Sequence, residues 1–485
     1  MSTSEFVMAF LPELVLLGGA LVLFVIALGA NACGRARAAA VIVGVLATGA
    51  SVVALRSEAL LFDGAYRVDG FSQWLKLVFT GGATCVVLMA GRVEDIRKDI
   101  RAEYFLFLLL AVVGLVLVAS AVELVALVVS LELSSFALIL MVPMRREREG
   151  QRSQMESAIK YIMFGVAANG VMLFGLSFLY GLTGTTQLAV MGERIQPMLG
   201  SPLAITGLLL AFAGVYYKLA VFPFHFWTPD VYQGASNETA GLIASLPKVG
   251  AIVVFVRLAS LAMPGSETVV LVLSVLAGAS MLYGNLLALG QSDFKRLLGF
   301  SGIAHGGYAL LGFVALDEAG FAAALYYTTG YVAMVLACFV VISRVSRDGV
   351  NVAIADLAGL HRRSRLLAAT LLVGVFALAG LPPFVGFMGK LSLLTAALAK
   401  GHLVLVVVAV LNAAVAIYYY LRVVKEAFFT NAPEGGAEAE PIRLDVGARV
   451  ACVVLIVAIV AMGVVPSAII DTIADSVRWV TLAAR

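Results

Sequence analysis

Apolar runs long enough to cross a membrane recur along the whole chain and are separated by short polar stretches. A helix needs about 20 consecutive apolar residues to span a bilayer, so runs of this length predict about fourteen helices. They lie near 11–30, 38–55, 71–91, 104–120, 122–142, 156–181, 202–233, 236–260, 267–290, 296–316, 319–344, 364–400, 403–429 and 447–470. The pattern predicts an all-α integral membrane protein.

Two of these runs are longer than one crossing requires, and each has proline near its centre. Pro223 lies in KLAVFPFHFW, and Pro382 and Pro383 lie in LAGLPPFVGF. Proline removes a helical hydrogen bond and clashes with the preceding turn. We therefore expect predicted helices 7 and 12 to be broken, with their freed carbonyls facing a cavity or neighbouring helices.

The two breaks fall at matching positions of two five-helix blocks, predicted helices 4 to 8 and 9 to 13. Such a pair of interrupted helices is typical of inverted repeats with an ion path near the middle of the membrane. The sequences of the two blocks are only weakly alike, so the repeat is inferred from the breaks. The expected divisions are 1–103 for helices 1 to 3, 104–260 for the first repeat, 261–430 for the second repeat, and 431–485 for a C-terminal loop and helix 14.

Composition supports a polytopic membrane protein with almost no soluble domain. Apolar residues make up 62% of the chain, charged residues 13%, and the mean hydropathy is +1.02, whereas a soluble domain is roughly 45 to 50% apolar. No charged run indicates nucleic-acid binding. The cysteines are Cys33, Cys85, Cys338 and Cys452, and their wide spacing predicts neither a disulfide framework nor a metal site.

The loops indicate the orientation in the membrane. Even-numbered loops hold few basic residues beyond Arg56, Arg67, Arg194 and Lys400, whereas basic residues crowd the odd-numbered loops. By the positive-inside rule the odd loops are cytoplasmic, and both termini face the outside. Glu13 lies inside the first apolar run and no basic segment precedes that run, so we expect the first helix to be retained rather than cleaved as a signal.

Ionisable residues near the middle of apolar runs are the candidate functional groups. They are Glu132, Lys218, Lys248 and Lys390. A charged group in the hydrocarbon core costs roughly 2.5 to 3.5 kcal/mol on insertion scales, so such residues are functional candidates by default. Together they suggest a relay for ions.

The choice of lysine over arginine carries a mechanism. Arginine stays protonated in proteins, whereas a desolvated lysine can release its proton. Glu132 supplies the opposite charge, and separating it from Lys218 would favour the neutral form of both. His305 titrates near neutrality when unperturbed and could connect the two blocks.

Each of these residues has a structural alternative. A single buried lysine can be a snorkelling residue or a member of a static ion pair, and this is the better interpretation of Lys76 and Lys160. His225 and His305, taken singly, are more often packing residues. Either proline site alone could be an ordinary kink. Central lysines beside two broken helices are harder to explain by structure alone.

Several ordered motifs resemble one family of membrane proteins. They are KLAVFPFHFWTPDVYQGA, SLPKVG, QSDFKRLLGFSGIAHGGYALLG, GLPPFVGFMGK and YYYLRVVKEAFF. Together they resemble the antiporter-like membrane subunits of respiratory complex I, most clearly from predicted helix 4 to helix 13. The chain lacks the C-terminal lateral-helix extension of the largest sibling, and it has lysine at position 390, where another sibling typically has glutamate.

The resemblance implies a role for each candidate residue. It makes Glu132 and Lys218 a switch pair, Lys248 and His305 the central relay, and Lys390 the exit-side proton donor. Lys160 and His225 would be further family positions of less certain role. The implied fold has fourteen helices in two inverted five-helix repeats.

The implied function is proton translocation coupled to electron transfer from NADH to quinone in other subunits. This chain would bind no cofactor, while FMN, iron–sulfur clusters and quinone would reside in partner subunits. The expected partners are other complex I membrane subunits, including a neighbouring antiporter-like subunit, in the bacterial inner membrane.

Three alternatives are open at this point. A subunit of a multi-subunit sodium/proton antiporter would use a similar lysine-based scaffold without redox coupling. A stand-alone solute carrier would be active when purified alone. A structural scaffold would tolerate removal of the central lysine charges.

Overall fold

The computed structural model describes residues 2–29, 32–91, 93–147, 153–263, 266–431 and 440–482. Its helices are α1 Thr3–Ala9, α2 Leu11–Ala27, α3 Cys33–Val53, α4 Gly70–Ala90, α5 Arg101–Ser120, α6 Leu124–Met141, α7 Ser153–Thr183, α8 Leu188–Ile195, α9 Pro202–Ala211, α10 Ala213–Leu219, α11 Thr228–Gly234, α12 Asn237–Ala259, α13 Glu267–Ala288, α14 Phe294–Val314, α15 Glu318–Val345, α16 Leu360–Arg363, α17 Arg365–Ala379, α18 Val385–Ala399, α19 Leu403–Phe429, α20 Val446–Val464 and α21 Pro466–Leu482. Strands β1 Ala59–Leu61 and β2 Tyr66–Val68 form an antiparallel hairpin.

The all-α membrane architecture is confirmed. Twelve helices in the described ranges are long and apolar enough to cross a membrane, and the bent pair α1–α2 adds a thirteenth candidate span. The shorter apolar helices α17 and α18 together occupy the predicted helix 12. Predicted helix 1 ends at Ala27 rather than residue 30, and residue 30 lies outside the described ranges.

Both predicted breaks are present. Predicted helix 7 consists of α9, α10 and α11, and the chain leaves the helix at Ala220, whose φ is 61°. Predicted helix 12 consists of α17 and α18, and Gly380 ends the first half with φ 85°. Pro223 and the Pro382–Pro383 pair lie within these non-helical segments. The intervening residues therefore place backbone carbonyls inside the bundle without helical partners.

Predicted helix 14 is wrong at its C-terminal end. The apolar pattern predicts one helix over 447–470, but α20 ends at Val464 and a separate helix, α21, begins at Pro466. Val465 leaves the helical region, as is common for a residue that precedes proline. Helices α1 and α8 and the hairpin are not predicted from the sequence, because each is shorter than a membrane-spanning helix.

The centre of the bundle is formed by α12, α14 and α15. Every residue of α12 is buried, which is typical of a helix that is surrounded by protein rather than by lipid. Pro247 lies inside α12 without ending it. Helices at the perimeter expose apolar side chains such as Leu21, Met163 and Val404, as a lipid-facing surface requires.

The odd-numbered loops contact one another on one face of the bundle. Buried Arg145 donates to Asp95 at 3.0 Å, to the Gln233 carbonyl at 2.7 Å and to the Gly349 carbonyl at 2.7 Å. Arg145, Asp95 and Gly349 belong to predicted loops 5, 3 and 11, and Gln233 is the last residue of predicted helix 7, next to loop 7. We call this side the odd face.

The even-numbered loops contact one another on the opposite face. Glu123 and Gln187 form an isolated β-bridge, and Lys400 forms an ion pair with Asp317 at 3.1 Å. Helix α1 packs against the hairpin, and α21 contacts the start of α15, so both ends of the described chain lie on this even face. The described odd and even loops therefore lie on different faces of the bundle.

Candidate functional site

The predicted relay residues lie in the interior of the bundle on five different elements. Lys218 is the second-last residue of α10, Lys248 lies in the middle of α12, His305 in the middle of α14 and Lys390 in α18. Their exposed fractions are 4%, 2%, 5% and 6%, respectively. Glu132, on α6, is half-buried. The two helix breaks explain two of these positions, because Lys218 and Lys390 lie directly beside the non-helical segments.

Glu132 and Lys218 do not form a direct ion pair, although both belong to the described residues. No nitrogen–oxygen distance between them is within 4.0 Å. Instead, Lys218 Nζ donates to Ser135 Oγ at 2.5 Å, and Glu132 Oε1 accepts a hydrogen bond of 2.6 Å from Asn169 Nδ2 of α7. The two charged groups still interact electrostatically. Ser135 lies about one turn after Glu132 on α6, so the pair is held slightly apart by polar residues.

The break after α10 is packed with aromatic side chains. Trp227 Nε1 donates to the Tyr217 carbonyl at 3.1 Å and so binds one of the carbonyls near the end of α10. His225 is buried among Phe222 and Tyr283, with ring centroids 5.4 and 4.3 Å away, and neither ring nitrogen has a hydrogen-bond partner. His225 therefore lies beside the break but makes no hydrogen bond to the relay residues.

Lys248 connects α12 to α14 and α15. Its Nζ donates to the Gly302 carbonyl at 2.7 Å and lies 5.1 Å from the centre of the Tyr331 ring. A methyl group added at Gly302 would lie 3.0 Å from Lys248 Nζ, 3.2 Å from the Tyr331 hydroxyl and 3.8 Å from the Tyr232 hydroxyl. Two tyrosine hydroxyls therefore approach the ammonium group at this point.

His305 is held by two tyrosines from different helices. Its Nδ1 lies 2.5 Å from the Tyr327 hydroxyl and its Nε2 lies 3.1 Å from the Tyr420 hydroxyl. The imidazole ring also lies 4.9 Å from the Tyr331 ring, the same ring that contacts Lys248. The structure thus places Lys248 and His305 beside the same tyrosine ring.

Lys390 binds the carbonyls that the second break leaves free. Its Nζ donates to the carbonyls of Leu378 and Ala379 at 3.1 and 3.0 Å, at the end of α17. It also lies 4.9 Å from the centre of the Tyr308 ring, which is 6.3 Å from the His305 ring. In space, Lys390 is therefore the next ionisable group after Lys248 and His305.

Lys76 and Lys160 occupy ion pairs away from this line. Lys76 binds Glu13 at 2.6 Å in a fully buried pair, and Lys160 binds Glu156 and Asp230 at 2.7 and 2.6 Å where its side chain is 36% exposed. Both geometries agree with the interpretation as static pairs. Lys160 is not brought to the other relay residues.

Sequence reasoning missed the polar residues that connect the lysines. Asn169 and Ser135 bind Glu132 and Lys218, and three tyrosines surround His305. The signal for Asn169 was an amide within an apolar run of α7. The tyrosines gave no distinguishing signal, because aromatic residues are common in apolar helices. In the described ranges no three His, Cys, Asp or Glu residues cluster as a metal site would require.

Three comparisons place the chain among known proteins. The family model described as "NADH:quinone oxidoreductase/Mrp antiporter, TM" matches residues 121–416. A protein named NADH-quinone oxidoreductase subunit N 2, from Opitutus terrae, is 60% identical over 476 residues, which cover 98% of each chain.

Two solved structures share the fold. A chain of respiratory complex I from Thermus thermophilus, solved with bound aureothin, superposes with a TM-score of 0.80 at 30% identity and covers 95% of this chain and 98% of its own length. A chain of the Mrp complex from Dietzia sp. DQ12-45-1b superposes with a TM-score of 0.86 at 20% identity over 100% of both chains. At that identity the second likeness shows the fold alone.

Proposed function

The chain belongs to the subunit N family of NADH-quinone oxidoreductases, and on that premise we propose that its buried lysines carry protons through the membrane. It is a membrane subunit of a multi-subunit respiratory complex, in which other subunits transfer electrons from NADH to quinone. The proposed residues are Glu132, Lys218, Lys248, His305 and Lys390.

The observation that carries this proposal is the row of aromatic side chains that lies between Lys248 and Lys390. Tyr331 contacts both Lys248 and His305, and Tyr308 lies between His305 and Lys390. Tyrosine hydroxyls and imidazole nitrogens both donate and accept hydrogen bonds, so these groups can exchange protons with lysines and with water. A core with a purely structural role does not require ionisable groups from four helices to lie next to one another.

The Glu132–Lys218 pair is proposed as the switch. With Lys218 bound to Ser135 and Glu132 bound to Asn169, the two groups are close but not paired. Closing the pair would favour the charged forms of both residues, and opening it would favour release of the Lys218 proton. We assign the signal that moves the pair to quinone reduction in the partner subunits.

The two repeats are proposed as 104–260 and 261–430, after N-terminal helices in 1–103. A C-terminal segment in 431–485 follows, of which 432–439 and 483–485 lie outside the described residues. Helix packing supports this division. Gly114 allows close approach of α5 to α6, and Gly284 allows the same for α13 and α14, which occupy the corresponding places of the second block. Each block also has one broken helix with a lysine beside the break.

Redox groups are assigned to the partners. FMN, iron–sulfur clusters and quinone would supply the electron transfer there, and this chain's residues would hold and move protons only. The odd face is proposed as cytoplasmic and both termini as extracytoplasmic in a bacterial inner membrane, because basic residues crowd the odd loops.

The proposal is tested with Lys218→Ala and Lys390→Ala in the complete complex, reconstituted into liposomes. We expect NADH oxidation to continue while the number of protons translocated per NADH oxidised falls. Lys400→Ala is the matched control, because Lys400 is 45% exposed and its ion pair with Asp317 lies on the even face. An unchanged ratio in both relay variants, with normal assembly, would rule out the assignment.

A sodium/proton antiporter subunit is the second candidate, and its support is the fold shared with the Mrp chain. The 60% identical relative over nearly the full length favours the respiratory complex. Sodium-dependent proton movement without NADH would reverse that choice.

A further inference from the structure

The odd face contains a polar cavity of about 410 Å³ that the relay residues do not line. Its walls come from predicted loops 1, 3, 11 and 13, from the start of α12 and from the end of α15. Charged residues dominate the lining and include Arg37, Glu94, Asp95, Glu238, Arg344 and Asp445. A cavity with this lining is accessible to water and to small ions from the odd side of the membrane.

Glu238 is the lining residue that stands out. It lies in the first turn of α12 and is only 7% exposed, and its Oε2 has no hydrogen-bond partner. Buried carboxylate oxygens are almost always hydrogen-bonded, so this atom marks a position where water or a proton would be bound. The partial positive charge of the helix N-terminus makes a carboxylate acceptable there.

Charged groups from three other elements face Glu238. They are Asp95 of the loop before α5, Lys295 of α14 and Arg344 of α15. Asp95 forms a buried ion pair with Arg145 at 3.0 Å, and Lys295 donates to the Ala235 carbonyl at 2.9 Å. Arg344 binds Asp445 at 2.9 Å. Lys295 and Arg344 thus bind other groups. In the described structure neither of them forms an ion pair with Glu238 within 4.0 Å.

Glu238 and Lys248 share one fully buried helix. They are ten residues apart on α12, which corresponds to about 15 Å along the helix axis. Tyr232, beside Lys248, has a buried hydroxyl without a hydrogen-bond partner, and the buried hydroxyl of Tyr104 lies beside Ser236 and Thr239 at the Glu238 end. Unpartnered buried hydroxyls are positions where water is normally bound. A hydrated path can therefore run beside α12 from the cavity to Lys248.

We propose that Glu238 is the proton-loading residue of this subunit, which takes protons from the odd-face cavity and passes them to Lys248. In the transfer, the O–H bond of the protonated carboxyl breaks and an N–H bond forms on neutral Lys248, with water carrying the proton across the gap. Glu238 becomes a carboxylate and is reprotonated from the cavity. This inference rests on the proposed function, because it supplies the proton that the relay then moves.

The test uses Glu238→Gln in the complete complex, reconstituted into liposomes. Glutamine keeps the size and polarity of the side chain but cannot release a proton, so we expect fewer protons translocated per NADH oxidised. Added formate should restore part of the loss, because a small weak acid can enter a cavity of this size and deliver protons in place of the carboxyl group. Glu94→Gln is the matched control, since Glu94 lines the same cavity but is exposed.

Two further variants separate the possible results. Glu238→Asp keeps a carboxyl group and should translocate better than Glu238→Gln. An unchanged ratio in Glu238→Gln, or a loss that formate does not restore in a fully assembled complex, would overturn the inference. Lys248→Ala tests the proposed function separately: if it loses translocation while Glu238→Gln does not, only the loading role fails. If neither variant loses translocation, the proposed relay fails as well.

Discussion

Lysine is the residue type on which this relay depends, and the surroundings of each lysine show how it is used. Lys248 and Lys390 bind backbone carbonyls, and Lys218 binds a serine hydroxyl. None of these acceptors is a charged group that would fix the ammonium permanently. Neutral acceptors stabilise the protonated state moderately and allow the lysine to be emptied when its environment changes.

Gly302→Ala tests the position of Lys248. The added methyl group would lie 3.0 Å from Nζ, so the ammonium must move away from the Gly302 carbonyl. We expect reduced proton translocation per NADH with normal assembly. Gly170→Ala is the matched control, because Gly170 is a helical glycine with no atom within 4 Å of the added carbon. Equal translocation in the two variants would contradict the placement of Lys248.

The lysines and His305 could be predicted from the sequence because an ionisable side chain within an apolar run is conspicuous. Their partners could not. Tyr327 reaches His305 from the next helix along the chain, whereas Tyr420 lies 115 residues away on α19. Helix packing determines which tyrosines face the relay residues. When a helix is apolar on all sides, its sequence does not show which side faces the relay.

At the scale of elements, the broken helices place lysines beside free carbonyls. The prolines predicted both interruptions correctly, since proline cannot continue the helical hydrogen bonding. The extent of each break was not predictable, because it is set by residues such as Ala220 and Gly380 that adopt positive φ. The amphipathic helix α21 is not predicted for another reason. Its first residues are apolar and continue the apolar run of the spanning helix that precedes it.

Gly380→Ala tests the second break. Gly380 has φ 85°, and a left-handed conformation costs a residue with a Cβ roughly 1–2 kcal/mol. The added carbon would also lie 2.9 Å from Lys390 Cδ, so the side chain must shift. We expect lower thermal stability of the purified complex and reduced proton translocation.

Gly401→Ala provides the control for backbone strain. Gly401 has φ 83° but no atom within 4 Å of the added carbon. It should lose a similar amount of stability and keep full translocation. If the two variants lose translocation equally, the break does not position Lys390.

At the scale of the whole molecule, buried polar contacts hold the odd loops together above the central helices. Arg145 is 2% exposed and connects its own loop to the loops of Asp95 and Gly349 and to the end of α11. The positive-inside pattern predicted that these loops share a face, but not that one arginine connects them. That arginine looked like an ordinary member of a basic loop.

Arg145→Met tests this connection. Arg145 is a partner of Asp95 in a buried ion pair, and removing one partner of such a pair destabilises a protein by about 3–5 kcal/mol. We expect little assembled complex on a native gel. Arg97→Met should assemble normally, because the Arg97–Asp99 pair is more than half exposed. Normal assembly of both variants would contradict the role of Arg145.

The most direct test of proton transfer through the buried lysines is Lys248→Arg in the reconstituted complex, with NADH oxidation and proton translocation measured in the same sample. Arginine preserves the positive charge and can still donate to the Gly302 carbonyl, but it does not release its proton. We predict continued NADH oxidation with a lower number of protons translocated per NADH. A ratio equal to that of the unmodified complex would contradict the central claim.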